Sequence, residues 1–404
     1  MPLVDPALER RNHFGLSAFF FLYFAGVGFI TPFLPIYWRS LGFSYRQIGA
    51  LIALSSVAGA AALVPVGALS DRLRARRPFV VAGTTLMAAG YGAFPSLHGF
   101  GQFAVAQLVI GLGGTMSVAV VSALGADVFR RGASGRAFAG VRSWGTVGFL
   151  VTMAVVFVAP EAVAGHTFLH GAAALYAVAG AAVLIVRRPA RATARELPSL
   201  RAAARLLLAP RALAFVAAYF VFYMALMSST ANLGLYLTAF RPIPPVWILP
   251  LAFAVSAGIE LPFLTVMGRL SDRYGRMAPL RLAFAVLPIR LAGYALAASP
   301  AAVVLLQATH GLTFSVIAIV PFAYMADLTP PEHRATGQAV LNAASSAAYA
   351  LGPLLAGSVA DHFGLRGLYW FLSAVAVVGA CVLYGAVREP ARAHEAHEAA
   401  VART

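Results

Sequence analysis

Twelve apolar runs, each about as long as the 20 residues a helix needs to cross a bilayer, dominate the 404-residue chain. They lie near 14–38, 47–69, 78–97, 103–126, 137–159, 167–186, 212–239, 246–269, 278–298, 301–326, 337–360 and 367–387, with short polar or Gly/Pro-containing breaks between them. Hydrocarbon offers peptide groups no hydrogen-bond partner, so a run of this kind becomes a helix that satisfies itself. Composition closes off the soluble alternative: 60% of residues are hydrophobic and 11% charged, whereas a soluble domain carries about 25% charged residues. The first run is too long for a signal peptide and lacks a small-residue cleavage site, so it reads as a retained span.

The formal net charge is +16, and all 30 basic residues are arginines. Such a balance suggests nucleic acid, but the placement of the arginines argues against it. If both termini share one side, 24 arginines fall on that side and only Arg39, Arg46, Arg241 and Arg366 in the opposite loops. The positive-inside bias then makes both termini cytoplasmic, and the basic charge reflects topology. The lone Cys381 excludes an intramolecular disulfide and a cysteine metal cluster.

The chain also repeats itself. Gly67-Ala-Leu-Ser-Asp71-Arg72 closes the second run and Gly268-Arg-Leu-Ser-Asp272-Arg273-Tyr-Gly275-Arg276 the eighth, 201 residues apart. Ala126-Asp127 and Ala326-Asp327 end the fourth and tenth runs, 200 residues apart. The expected organisation is a six-helix half over 1–186, an Arg-rich cytoplasmic linker over 187–211, a second six-helix half over 212–388 and a polar tail over 389–404. Residues 199–208 of the linker read as a short Arg-rich helix on the inner leaflet.

These features resemble the major facilitator superfamily over nearly the whole chain. The loop signature G-x-x-x-D-R-x-G-R is complete from Gly268 to Arg276, while in the first half Arg74 stands in place of the second glycine. A narrower resemblance, to the lactose permease and nucleoside or phenylpropionate permease branch, is carried by Gly140-Val-Arg142-Ser-Trp144-Gly145-Thr-Val-Gly148-Phe149. Tyr23 to Pro35, Ile259-Glu260-Leu261-Pro262, Ile289-Arg290-Leu291-Ala292-Gly293 and His310-Gly-Leu-Thr313-Phe314 support it. The resemblance implies an all-α membrane protein with twelve transmembrane helices in two pseudo-symmetric halves and a site at their interface. It also implies gating by Asp71, Arg72, Asp272, Arg273 and Arg276, and substrate contact through Arg142. The span-five drug/proton antiporter signature is absent, because Gly145 to Leu150 lacks its proline and glycine pair. Lactose-type members place an acid in span four, where this chain has Ala123 and Leu124, and another where it has Thr313. They also place a tryptophan at the position of Phe149, so the departures argue against galactoside recognition.

Arg142, Glu260, Arg290 and His310 are the ionisable residues lying well inside the runs. A charge at the bilayer centre costs about 2.5 kcal/mol or more, which makes such residues candidates for ion and substrate pathways. Reflection through the turns near Gly275 and Pro300 places Glu260, Arg290 and His310 in one layer. Two readings follow: a proton and substrate site with Glu260 as carboxylate, Arg290 as its partner and His310 as a second titratable group, or a structural ion pair tying helices together. Gln307, His310 and Thr313 form a polar stripe that suits either a cavity wall or helix-to-helix contact. Thr146 and Phe149 share the face of Arg142, itself either a substrate ligand or an arginine snorkelling to the interface. Tyr23, Asn232 and Asn342 complete the expected substrate-binding set.

An intramembrane enzyme would need a nucleophile with a base or a metal constellation, and the nine histidines form no cluster of ligand spacing on the runs. No cofactor, metal or nucleic acid is expected. The expected partners are a small-molecule substrate, protons and the lipid bilayer, for a monomer in the inner membrane of a bacterium. The function that emerges is proton-coupled symport of a small organic solute by alternating access; a proton-driven efflux carrier is the alternative. Two arginines against one glutamate favour a solute bearing negative charge.

Overall fold

A computed structural model describes residues 6–73, 75–129, 134–187, 200–330 and 333–389. Residues 188–199 of the Arg-rich linker, Arg74 and the tail beyond Glu389 lie outside the described residues. The described residues are almost entirely helical: α1 (Pro6–Ser40), α2 (Tyr45–Arg72), α3 (Arg76–Ala93), α4 (Phe100–Val128), α5 (Ser134–Val158) and α6 (Thr167–Val183) come first. The short α7 (Leu200–Leu208) follows, then α8 (Pro210–Thr238), α9 (Ile248–Tyr274), α10 (Met277–Leu296), α11 (Pro300–Gln307), α12 (His310–Leu328) and α13 (Arg334–Ala386).

Among the described residues, nine helices are long and apolar enough to cross a membrane, with α11 and α12 counted as one. The nine differ from the twelve apolar runs for physical reasons. The 53-residue α13 contains runs eleven and twelve, and the chain reverses inside it at Gly364, whose φ of +69° suits a residue without Cβ. Runs three and six occupy the 18-residue α3 and the 17-residue α6. Run ten is broken: Thr309 N–H bonds to the Leu306 oxygen and Leu312 N–H to the Thr309 oxygen, both at 3.1 Å. This tightened three-residue spacing, of the kind that marks hinges, makes His310 the first residue of α12. Prolines 32, 35, 65, 262, 288, 321 and 353 lie inside helices, as membrane helices tolerate.

The chain forms two compact units, 1–43 with 51–195, and 44–50 with 196–404. In the first, an aromatic core joins Tyr23, Phe19, Tyr91 and Tyr176, with ring centroids 5.2–5.6 Å apart. In the second, Phe222 meets Phe284 at 4.4 Å and Tyr236 meets Tyr369 at 4.6 Å. Helices also touch through small residues, as expected where lipid competes equally for apolar side chains. Gly148 of α5 lies so close to the Phe21 carbonyl of α1 that a Cβ there would overlap it.

This crossing makes a testable demand. Gly148→Ala should destabilise the protein by about 1–3 kcal/mol, the usual cost of overpacking. Gly101→Ala, where a Cβ meets nothing within 4 Å, should leave thermal unfolding of the detergent-solubilised protein nearly unchanged. Equal midpoints for the two variants would contradict the close crossing.

Candidate functional site

The second unit holds a buried cation. Arg290 of α10 is 2% exposed, and its Nη1 lies 3.1 Å from His310 Nδ1 and 3.0 Å from Thr313 Oγ1, both on α12. Arginine only donates, so Nδ1 accepts and the ring proton of His310 sits on Nε2. Thr313 accepts from Arg290 and donates its hydroxyl to the His310 carbonyl at 3.0 Å. His310 stacks on Phe314 at 5.3 Å, and the Arg290 guanidinium carbon lies 6.0 Å from the Tyr294 ring centre. Arg290 Nε is buried with no hydrogen-bond partner.

Arg290 is therefore held by two uncharged acceptors and not by Glu260, the partner expected from depth alone. Equal depth sets the level of two side chains but not the direction in which each points around its helix. Glu260 of α9 is half-buried, and its backbone oxygen accepts from Ser315 Oγ at 3.2 Å. The polar stripe on α11 and α12 is spent between helices: Gln307 accepts from the Tyr294 hydroxyl, and its amide donates to the Ala252 oxygen at 3.4 Å.

In the first unit, Arg142 of α5 is exposed, its guanidinium carbon 5.4 Å from the Phe24 ring centre and 5.8 Å from that of Phe20. Such cation–π geometry helps to orient the guanidinium. Thr146 and Phe149 follow on the same helix, both half-buried. Phe20 and Phe24 were not expected as site residues, although the aromatic run from Phe19 to Phe24 contains them. Tyr23 packs instead into the aromatic core, at 6% exposure. Asn232 is buried and donates to the Ser228 oxygen of its own helix at 2.9 Å, while Asn342 is exposed.

The two repeated loops build the same cluster. In the first unit, Arg76 reaches Asp71 at 2.9 Å and Asp127 at 3.0 Å. In the second, Arg276 reaches Asp272 at 2.6 Å and Asp327 at 2.9 Å. Each arginine thus ties one end of three helices together within its own unit: α2, α3 and α4, then α9, α10 and α12. Burial lowers the Arg276 pKa and hydrogen bonds to Asp272 and Asp327 raise it, and the balance lies above arginine's ordinary value. Arg72 and Arg273, expected as gating partners, are exposed, and Arg273 lies 5.2 Å from the Tyr274 ring centre. Arg76 was missed, though its 200-residue offset from Arg276 was legible. Glu389 was missed too: it accepts from the backbone N–H groups of Arg276 at 2.7 Å and Met277 at 2.8 Å, capping α10. It packs against Gly275, whose φ is +83°. Among the described residues no group of three His, Cys, Asp or Glu could hold a metal ion.

Residues 13–371 match the MFS_1 like family. The chain belongs to that family. It is 25% identical over 383 residues to the maltose permease of Geobacillus stearothermophilus, covering 93% of this chain and 94% of the permease. Its fold matches the nucleoside transporter NupG (D323A mutant) with a TM-score of 0.84 at 18% identity, over 93% of this chain and 100% of NupG. A bacterial homologue of the human lysosomal transporter Spinster, in an inward-facing and occupied conformation, matches with a TM-score of 0.73 at 14% identity, over 95% and 97% of the two chains. The protein is thus a multi-pass membrane transporter of major facilitator fold and not an enzyme.

The clusters predict an asymmetry among the arginines. Arg76→Gln leaves the 8%-exposed Asp127 without this ion pair, a loss that costs about 3–5 kcal/mol when the surviving charge is buried. Arg72→Gln removes an exposed charge and should shift stability by at most about 0.5 kcal/mol. Thermal unfolding of the two variants side by side checks this, and an equal loss in both would refute it.

Proposed function

We propose that this transporter carries a small organic anion in symport with a proton, and that the Arg290–His310 contact couples the two. The observation that supports the reading is a buried guanidinium held by an imidazole and a hydroxyl, with Nε still unpartnered. A buried cation with no anion beside it is costly, and a carboxylate on the solute supplies the missing charge in bidentate form. While Arg290 donates to Nδ1, His310 has no lone pair available for a proton. Once the solute's carboxylate engages Arg290, Nδ1 is released and accepts one. Solute and proton then load together. Arg142, Thr146 and Phe149 supply the first unit's contribution to solute binding. Glu260 is the second candidate for the proton, and the charge-reinforced clusters around Arg76 and Arg276 hold one gate state on the side carrying the termini, taken as cytoplasmic from the arginine bias.

The solute is identified first, as the member of a panel of sugars, nucleosides and aromatic acids that stabilises the purified protein. A ligand at 100 times its dissociation constant adds about 2.7 kcal/mol. With that solute, uptake into vesicles should alkalinise the external medium. His310→Gln should retain solute exchange and lose both the alkalinisation and accumulation against a gradient, while Arg290→Gln loses binding. Wild-type proton uptake per solute in His310→Gln would transfer the coupling role to Glu260, and acidification on uptake would favour the efflux carrier. Separately, Asp71→Asn and Asp272→Asn should shift the inward/outward balance, read as spin-label distances between the two halves. Unchanged distances in both would remove their gating role.

A further inference from the structure

At the end of the second unit opposite the Arg276 cluster, the connection after α8, the turn after α10 and the reversal at Gly364 border an open cavity of about 550 Å³. The 27 residues of α9 separate the two ends, about 40 Å at the rise of a helix. The volume lies within the range of small-molecule sites. Two arginines, Arg241 and Arg366, line the cavity together with the rings of Tyr45, Tyr236, Phe240 and Phe363, and among the described residues no acidic side chain does.

Both arginines are anchored through uncharged oxygens. Arg241 Nη1 donates to the Thr238 and Phe240 carbonyls at 3.1 and 2.9 Å, and Arg366 Nη2 donates to the Ala297 carbonyl at 3.4 Å. The Arg366 guanidinium also lies near the Tyr236 phenol. Among the described residues neither arginine forms an ion pair with a carboxylate. The nearest acid in sequence, Asp361, is spent on the first turn of α2, where it accepts from the backbone N–H groups of Tyr45 and Arg46 at 2.9 Å each. A guanidinium has five donors, so each keeps several for a ligand while its carbonyl contacts hold it in place, lowering the ordering cost of binding. Two positive charges in a cavity with four aromatic walls match one chemistry: a carboxylate on a flat, apolar ring.

We propose that this cavity is a second binding site, for a small aromatic carboxylate. Tyr236 connects it to the buried cation, since its hydroxyl donates to the Tyr294 carbonyl at 2.6 Å, one turn along α10 from Arg290. The cavity is therefore a staging place for the anion before it reaches Arg290; only this last step rests on the transport reading above.

The test uses the purified full-length chain in neutral detergent, with benzoate as the probe and benzyl alcohol as its uncharged counterpart, both followed by saturation-transfer NMR. Benzoate should bind Arg290→Gln protein, in which the buried cation is removed, and should bind at least about tenfold more weakly, equivalent to 1.4 kcal/mol, once Arg241→Gln and Arg366→Gln are added. Benzyl alcohol should bind neither protein. Both arginines are exposed, so monodisperse elution is expected; if the double substitution aggregates, the single variants decide by the same direction of change. Benzoate affinity unchanged by the substitutions, equal binding of benzyl alcohol, or displacement of benzoate by phosphatidylglycerol micelles but not by 4-hydroxybenzoate would each overturn the proposal. Full solute uptake by Arg290→Gln would instead sink the transport reading and leave the cavity assignment standing.

Discussion

A peptide group in hydrocarbon has no water to bond to, and this constraint governs the use of polar atoms throughout the structure. Hydroxyls and amides within the helices turn back on their own preceding turn, as Ser117 does to the Gly113 oxygen at 2.7 Å and Asn232 to the Ser228 oxygen at 2.9 Å. Those that reach outward do so to carbonyls of neighbouring helices, as Tyr369 does to Ser229 at 3.0 Å and Ser373 to Pro288 at 2.9 Å. Among the described residues five buried side-chain atoms lack a partner, those of Ser17, Trp38 and Ser228 and the Nε atoms of Arg76 and Arg290; of the two arginines, only Arg290 has no carboxylate on the rest of its guanidinium. Buried unsatisfied groups are rare in native proteins and are often explained by function.

Charge is concentrated where the helices end. Placing one arginine between two aspartates lets a planar fork contact acids from two other helices at once, which a point charge such as an ammonium does less well. The first unit makes the arrangement without the glycine at its motif's second position, so the arginine and the acids, rather than the turn residue, are what the two halves share. The exposed arginines beside them contribute to the topological charge bias instead of to the joints.

The spans were legible because hydrophobic length is a one-dimensional property, and the repeat was legible because residues 200 apart carry the same side chains. Gly364 was not recognised as the reversal between runs eleven and twelve, since positive φ is not written in a residue's neighbours. Depth along a helix can be counted from turns, and the count placed Arg290 and His310 at one level. Direction around the axis depends on packing, which is why the pairing of Arg290 with Glu260 was expected and a contact with His310 and Thr313 is found. Tyr23 shows the same limit: a tyrosine in an apolar run faces a cavity or a core with equal ease, and its ring here meets Phe19 and Tyr176.

Glu389 lies just past the last helix, yet its carboxylate closes the start of α10 by accepting two backbone N–H groups there. The side chain that finishes α10 thus comes from two residues beyond Val387, the last apolar residue of the final run. For anyone joining a reporter or affinity handle to this protein, the junction belongs after Glu389. A fusion placed at the apparent end of the last span would remove a cap from a helix more than a hundred residues upstream.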